Sequence, residues 1–174
     1  MKKLYEYSHF GGIEILQVRY PEIDHAIDIA IADTRNIQKP KARKIQRIGE
    51  FRIGLRRFGF HEMSPFIKSA FAKSRVFVAV HSEAHAFMLH DMAKFQYFYN
   101  EDKIDVGVEI IPCGNFKRKL SSGAAYCDQL IGDVLKMRRH FPVVPIKVIL
   151  IDVDSAPDLG SEKFEEAAEA DENA

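Results

Sequence analysis

Isoleucine recurs every fourth residue between Pro21 and Asp33, at Ile23, Ile27 and Ile31. That spacing predicts one apolar face of a helix, and Pro21 stands where proline suits a first helical turn. Phe51, Leu55 and Phe58 predict a short second helix that stops near Gly59. Between the two, residues 35–49 are polar and basic and contain Pro40, the composition of a linker or arm. Residues 75–80 are too short and too β-branched for anything but a strand. Met88, Met92, Phe95 and Tyr99 return to helical spacing through Asn100. Residues 103–111 then alternate through Ile104, Val106, Val108 and Ile110, a strand that Pro112 is expected to end. A further helix is expected over 121–139, capped by Ser121 or Ser122, with Cys127, Ile131 and Val134 turned inward. Residues 143–153 are nearly all apolar, as in a strand covered on both faces.

Helices crossing between strands imply an α/β (α+β) single domain, a mixed central β-sheet flanked by helices. Its expected extent is 1–155, followed by an acidic, alanine-rich and disordered tail over 156–174. No apolar run approaches the ~20 residues of a membrane span. The lysines at the N-terminus have no long apolar stretch behind them, which argues against a signal peptide. Cys113 and Cys127 lack metal-type spacing and read as free thiols, so a cytoplasmic location is expected.

A net charge of zero conceals a division. Beyond residue 155 stand seven acids and one base, leaving 24 bases against 18 acids in the body. The excess gathers at Arg35, Lys39, Lys41, Arg43, Lys44, Arg47, Arg52, Arg56 and Arg57, with Glu50 the one acid among them. Such a run suits a polyanion, because each neutralised phosphate releases counterions; it equally suits an ordinary solvated surface. Arg43 and Lys44 are candidate DNA contacts. So are Ser121 and Ser122 at a helix start, and Lys136, Arg138 and Arg139 at the end of that helix, where a base also complements the helix dipole.

His81, Glu83 and His85 would share one face of a continuing strand and offer ligands to an ion such as Zn²⁺. If the strand ends near His81, they are surface residues at a helix start. Asp105 and Glu109 also share a strand face, as a carboxylate pair would.

Three stretches resemble the BglII/BstYI-type restriction endonucleases, of the PD-(D/E)xK nuclease superfamily. One runs from Tyr7-Ser-His-Phe-Gly-Gly to Val18; another is Lys103-Ile-Asp-Val-Gly-Val-Glu-Ile-Ile-Pro112. The last comprises Ser121-Ser-Gly-Ala-Ala-Tyr126, Arg139 and Pro142-Val-Val-Pro145 in that order. Ala70-Phe-Ala-Lys-Ser-Arg-Val-Phe-Val-Ala79-Val-His81 then looks like the family's active-site strand. In that family the positions of Ala70, Ala79 and His81 hold Asp, Glu and Gln. The basic stretch over 35–60 is much shorter than its family counterpart.

The resemblance implies a homodimer on palindromic duplex DNA with a GATC core, each protomer cutting one strand. It also implies Mg²⁺ in an intact form. Mg²⁺ is a hard ion anchored by one or two carboxylates, and here methyl groups replace both. The expectation is a restriction-endonuclease-like protein with its metal site disabled, by engineering or by natural change, and with no Mg²⁺ bound. The alternative is a naturally non-catalytic DNA-binding or protein-interaction paralogue. By the same resemblance the strand of Asp105 and Glu109 is structural.

Overall fold

The chain opens on a strand, β1 (Lys2–His9), and continues into three helices, α1 (Gly12–Arg19), α2 (Pro21–Asp33) and α3 (Lys44–Arg57). Three strands follow, β2 (His61–Glu62), β3 (Ala70–Lys73) and β4 (Val76–Val80), then α4 (Ala86–Asn100), β5 (Val106–Cys113) and β6 (Ile146–Asp152). A helical turn covers 132–136. The structure, a computed structural model, describes residues 1–34, 44–63, 70–80, 86–113, 132–136 and 139–152.

All six strands join one sheet in the order β1-β6-β5-β4-β3-β2. β4, β5 and β6 run parallel, while β1, β3 and β2 pair antiparallel with their neighbours. The sheet is mixed and helices cover both faces, as the alternation of element types implies.

One face carries Phe71, Val76, Val78, Val80, Val106, Val108, Ile110, Ile149 and Ile151. Ile23, Ile27 and Ile31 of α2 pack on it, together with Ile48, Phe51 and Leu55 of α3. The two helices approach closely at Gly54, where an added Cβ would lie 3.3 Å from the Ala30 Cβ. The other face carries Phe77, Ala79, Ile111, Ile146, Val148 and Leu150 beneath Met92 and Phe95 of α4. Gly107 of β5 makes that contact possible, since a Cβ there would stand 2.7 Å from Phe95 Cδ2.

Several expectations need correction. Residues 44–49 are the first turns of α3 rather than linker. Ile48 is buried one turn before Phe51 and extends its apolar stripe; residues 35–43 lie outside the described residues. Pro112 does not end β5 but pairs in register with Ile151. The β4 pairing stops at Ile110, so on that side a missing N–H costs no ladder bond. Tyr99 is 38% exposed, beyond the reach of the sheet that buries Met92 and Phe95. β6 starts at Ile146, with Val143 before it and exposed.

Of the helix expected over 121–139, the described part is helical at 132–136 with Val134 buried, and Arg139 lies in a turn. Cys127, Ile131 and the acidic tail fall outside the described residues. β1 and α1 were not expected at all. β1 is an edge strand with a polar sequence, and α1 buries only Gly12 and Leu16, so neither has a periodicity to read. No helix among the described residues is long and apolar enough to cross a membrane.

Candidate active site

The stretch of 70–81 read as one strand is a hairpin. Ser74 and Arg75 make its turn, with Ser74 at φ 53°, and β3 folds back on β4. Ala70 thereby stands directly opposite Ala79. Ala79 in turn is level with Glu109 on β5, Glu109 with Val148 on β6, and Val148 with Tyr7 on β1. Partners in register project to the same face, so residues 70, 79, 109, 148 and 7 form one row across five strands.

The row lies beneath α4. Ala70 is 3% exposed and Ala79 2%, and Ala79 belongs to the apolar cluster of Phe77, Met92 and Phe95. Neither alanine has a side-chain oxygen or nitrogen to offer a metal ion. Among the described residues no group of three or more His, Cys, Asp or Glu is placed to hold one. The two alanine positions therefore supply no carboxylate of the kind that anchors Mg²⁺. His81, Glu83 and His85 lie outside the described residues.

One carboxyl does stand in the row. Glu109 is wholly buried, and burial pushes its pKa well above the ordinary carboxylate value, with the charge of Asp91 adding to the effect and Lys94 opposing it. Asp91 and Lys94 come from α4 and pair at 2.8 Å. A buried acid beside Ala79 thus feels the charges of an ion pair on the covering helix. Glu109 carries no mark of this in the sequence, and the pairing of β4 with β5 that sets it beside residue 79 is a long-range contact.

Asp105 and Glu109 are not a pair. Asp105 precedes β5 and takes hydrogen bonds from the Tyr20 hydroxyl at 2.7 Å and Arg75 Nε at 2.6 Å, with Arg19 at 3.4 Å. Burial raises its pKa, but the hydrogen bonds of Tyr20 and Arg75 and the charges of Arg75 and Arg19 outweigh that and hold it below the usual range. This cluster ties the β3–β4 turn to α1 and the start of β5.

The candidate DNA contacts are dispersed. Lys136 and Arg139 are exposed. Arg139 lines an open cleft of about 510 Å³ with Tyr7, Ser8, His9 and Phe10. The β1 edge of that cleft stands four strand spacings from β3, roughly 19 Å. Lys44 opens α3, with its side chain outside the described residues, as are Arg43, Ser121, Ser122 and Arg138. Arg56 and Arg57 at the end of α3 are exposed, Arg56 in an ion pair with Glu62.

The comparisons with known proteins bear on this architecture. The family model for the restriction endonucleases BglII/BglIII matches residues 4–151. Among solved structures, the crystal structure of free BglII superposes with a TM-score of 0.64 at 15% sequence identity, covering 87% of this chain and 79% of that one. No curated protein sequence matches the chain.

Proposed function

This chain belongs to the BglII/BglIII restriction endonuclease family, and we propose that it binds palindromic duplex DNA of the GATC-core type as a homodimer without cleaving it. The observation behind this reading is the register of Ala70 with Ala79. Two positions facing each other across a hairpin suit a pair of acids sharing one ion, and both are methyl groups. In an intact form Mg²⁺ supplies the attacking hydroxide and steadies the leaving oxygen. A methyl pair offers that ion no ligand.

Binding has separate support. The body of the chain carries an excess of six positive charges, and Arg56, Arg57, Lys136 and Arg139 are exposed. A two-fold dimer would present these sites twice, matching a two-fold DNA site.

The decisive experiment incubates this chain and its Ala70→Asp/Ala79→Glu variant with mixed duplex DNA in Mg²⁺ and sequences any new ends. Expected is cutting at a GATC-containing palindrome by the variant alone. Specific cleavage by the unaltered chain would overturn the reading.

A second reading, a naturally non-catalytic paralogue that binds DNA or another protein, is favoured by the cover over the row. Ala79 packs among Phe77, Met92 and Phe95, and Glu109 is sealed beneath α4. On this reading neither protein cuts, and retention of duplex in a gel-shift assay separates a DNA binder from a protein binder.

A further inference from the structure

From the cleft at the end of β1 we infer that this protein has a site for an unpaired nucleotide, its base stacked on Phe10 and its phosphate held by Arg139. The inference takes its ligand class from the DNA-binding reading above but concerns a different form of DNA, and of the bases cited there it uses Arg139 alone.

Phe10 is 51% exposed and sits at φ 47°, a left-handed conformation unusual for a bulky residue. Several constraints keep it there. Gly11 follows at φ 75°, so two left-handed residues in succession turn the chain out of β1. Gly12 then lies so close under β6 that an added Cβ would fall 2.2 Å from the Ile146 carbonyl carbon. The Phe10 ring meets the His9 ring edge-on, with centroids 4.5 Å apart and planes at 72°. An aromatic ring held outward by a pinned backbone and a buried neighbour is a preorganised stacking surface.

His9 also joins the two walls of the cleft. It is buried, and its Nε2 donates to the Pro142 carbonyl at 2.6 Å. This bond ties the end of β1 to the segment before β6, to which Arg139 of the same cleft belongs. Among the described residues no carboxylate pairs with Arg139. Tyr7 and Ser8 also line the cleft, the Ser8 hydroxyl itself donating to Glu14 Oε2 at 2.5 Å. Aromatic rings and a guanidinium around about 510 Å³ match two parts of one nucleotide: a flat base and an anion. Stacking platforms beside a cationic group are how proteins hold single-stranded nucleic acid. A paired base has no free face to offer such a cleft, so the site selects against intact duplex.

Fluorescence anisotropy tests this with a labelled single-stranded oligonucleotide and, separately, the same sequence as a duplex. The proteins are the full chain and its Phe10→Ala, Phe10→Trp, Arg139→Ala and Tyr97→Ala variants. Tyr97 is an exposed aromatic elsewhere and serves as the control. Thermal melts check that each variant folds. Phe10→Ala is expected to weaken single-strand binding by about fivefold to a hundredfold, whereas Phe10→Trp and Tyr97→Ala leave it within about twofold of the full chain. Arg139→Ala is expected to reduce the salt dependence by about one phosphate contact. Deoxyadenosine monophosphate as competitor distinguishes a site for a free nucleotide, which it displaces from, from one that needs the strand. Single-strand binding that is absent, or equal in the full chain and Phe10→Ala, overturns the inference and leaves the duplex reading untouched. Absence of duplex binding with Phe10-dependent single-strand binding does the reverse.

Discussion

Replacing Glu109 by Gln should stabilise the protein in neutral and alkaline solution, by an amount that grows with pH. Glu109 is fully buried in the row beside Ala79, and its pKa is raised well above 4.5, chiefly by desolvation. The folded state therefore holds this proton more tightly than the unfolded chain does. Its contribution to stability is complete below pH 4.5 and drains away as pH rises toward the folded pKa. Each pH unit in that interval costs about 1.4 kcal/mol. At pH 7 the loss is bounded by the interval from 4.5, roughly 3 kcal/mol, a large share of the ~5–15 kcal/mol that keeps a domain folded. Glutamine has nearly the same shape and no proton to lose. Urea unfolding of the two proteins at pH 5, 6, 7 and 8 should give curves that lie close together at pH 5 and diverge above it. Glu6 and Asp105, whose pKa values are lowered by their Lys147, Lys3, Tyr20 and Arg75 partners against the pull of burial, act with opposite sign. Their stability is present above the ordinary carboxylate range and lost as pH falls, so they do not confuse the comparison above pH 5. Parallel stability curves for the two proteins from pH 5 to 8 would refute the reasoning.

Gly107→Ala would place a Cβ 2.7 Å from the Phe95 ring, and overpacking of this kind costs about 1–3 kcal/mol. A lowered urea midpoint is expected, part of it recovered in Gly107→Ala/Phe95→Leu; an unchanged midpoint in the single variant would contradict the packing of α4 on β5. Lys147 is 1% exposed on β6, 2.7 Å from Asp24 and 3.0 Å from Glu6. Lys147→Ala should lose about 3–5 kcal/mol, chiefly by leaving Asp24 without this cation while Glu6 keeps Lys3, whereas Lys147→Met in an Asp24→Asn/Glu6→Gln background should lose far less. Equal losses in the two proteins, measured by chemical denaturation, would show that packing rather than charge holds this position.

The sequence by itself determined the elements with strong periodicity and the kind of layering they build. Ile23, Ile27 and Ile31 define the buried face of α2 because a helix returns to the same side every three to four residues. The nearly unbroken apolar run before Asp152 marks a strand covered on both sides, and β6 is buried throughout. The family, too, was legible, in the stretches from Tyr7 to Val18 and from Lys103 to Pro112, within the residues the family model matches.

Tertiary structure decided which of these residues meet. The turn at Ser74 and Arg75 converts a distance of nine residues between Ala70 and Ala79 into direct register. The β4–β5 pairing, a contact between segments joined through α4, sets Glu109 beside them and gives a routine acidic residue its altered proton affinity. The bond from His9 to Pro142 spans most of the chain and forms a cleft from a polar edge strand that no pattern announced. Periodicity reports how one segment meets a surface. It carries no record of which segment supplies that surface, because that follows from the order and register of strands remote in sequence.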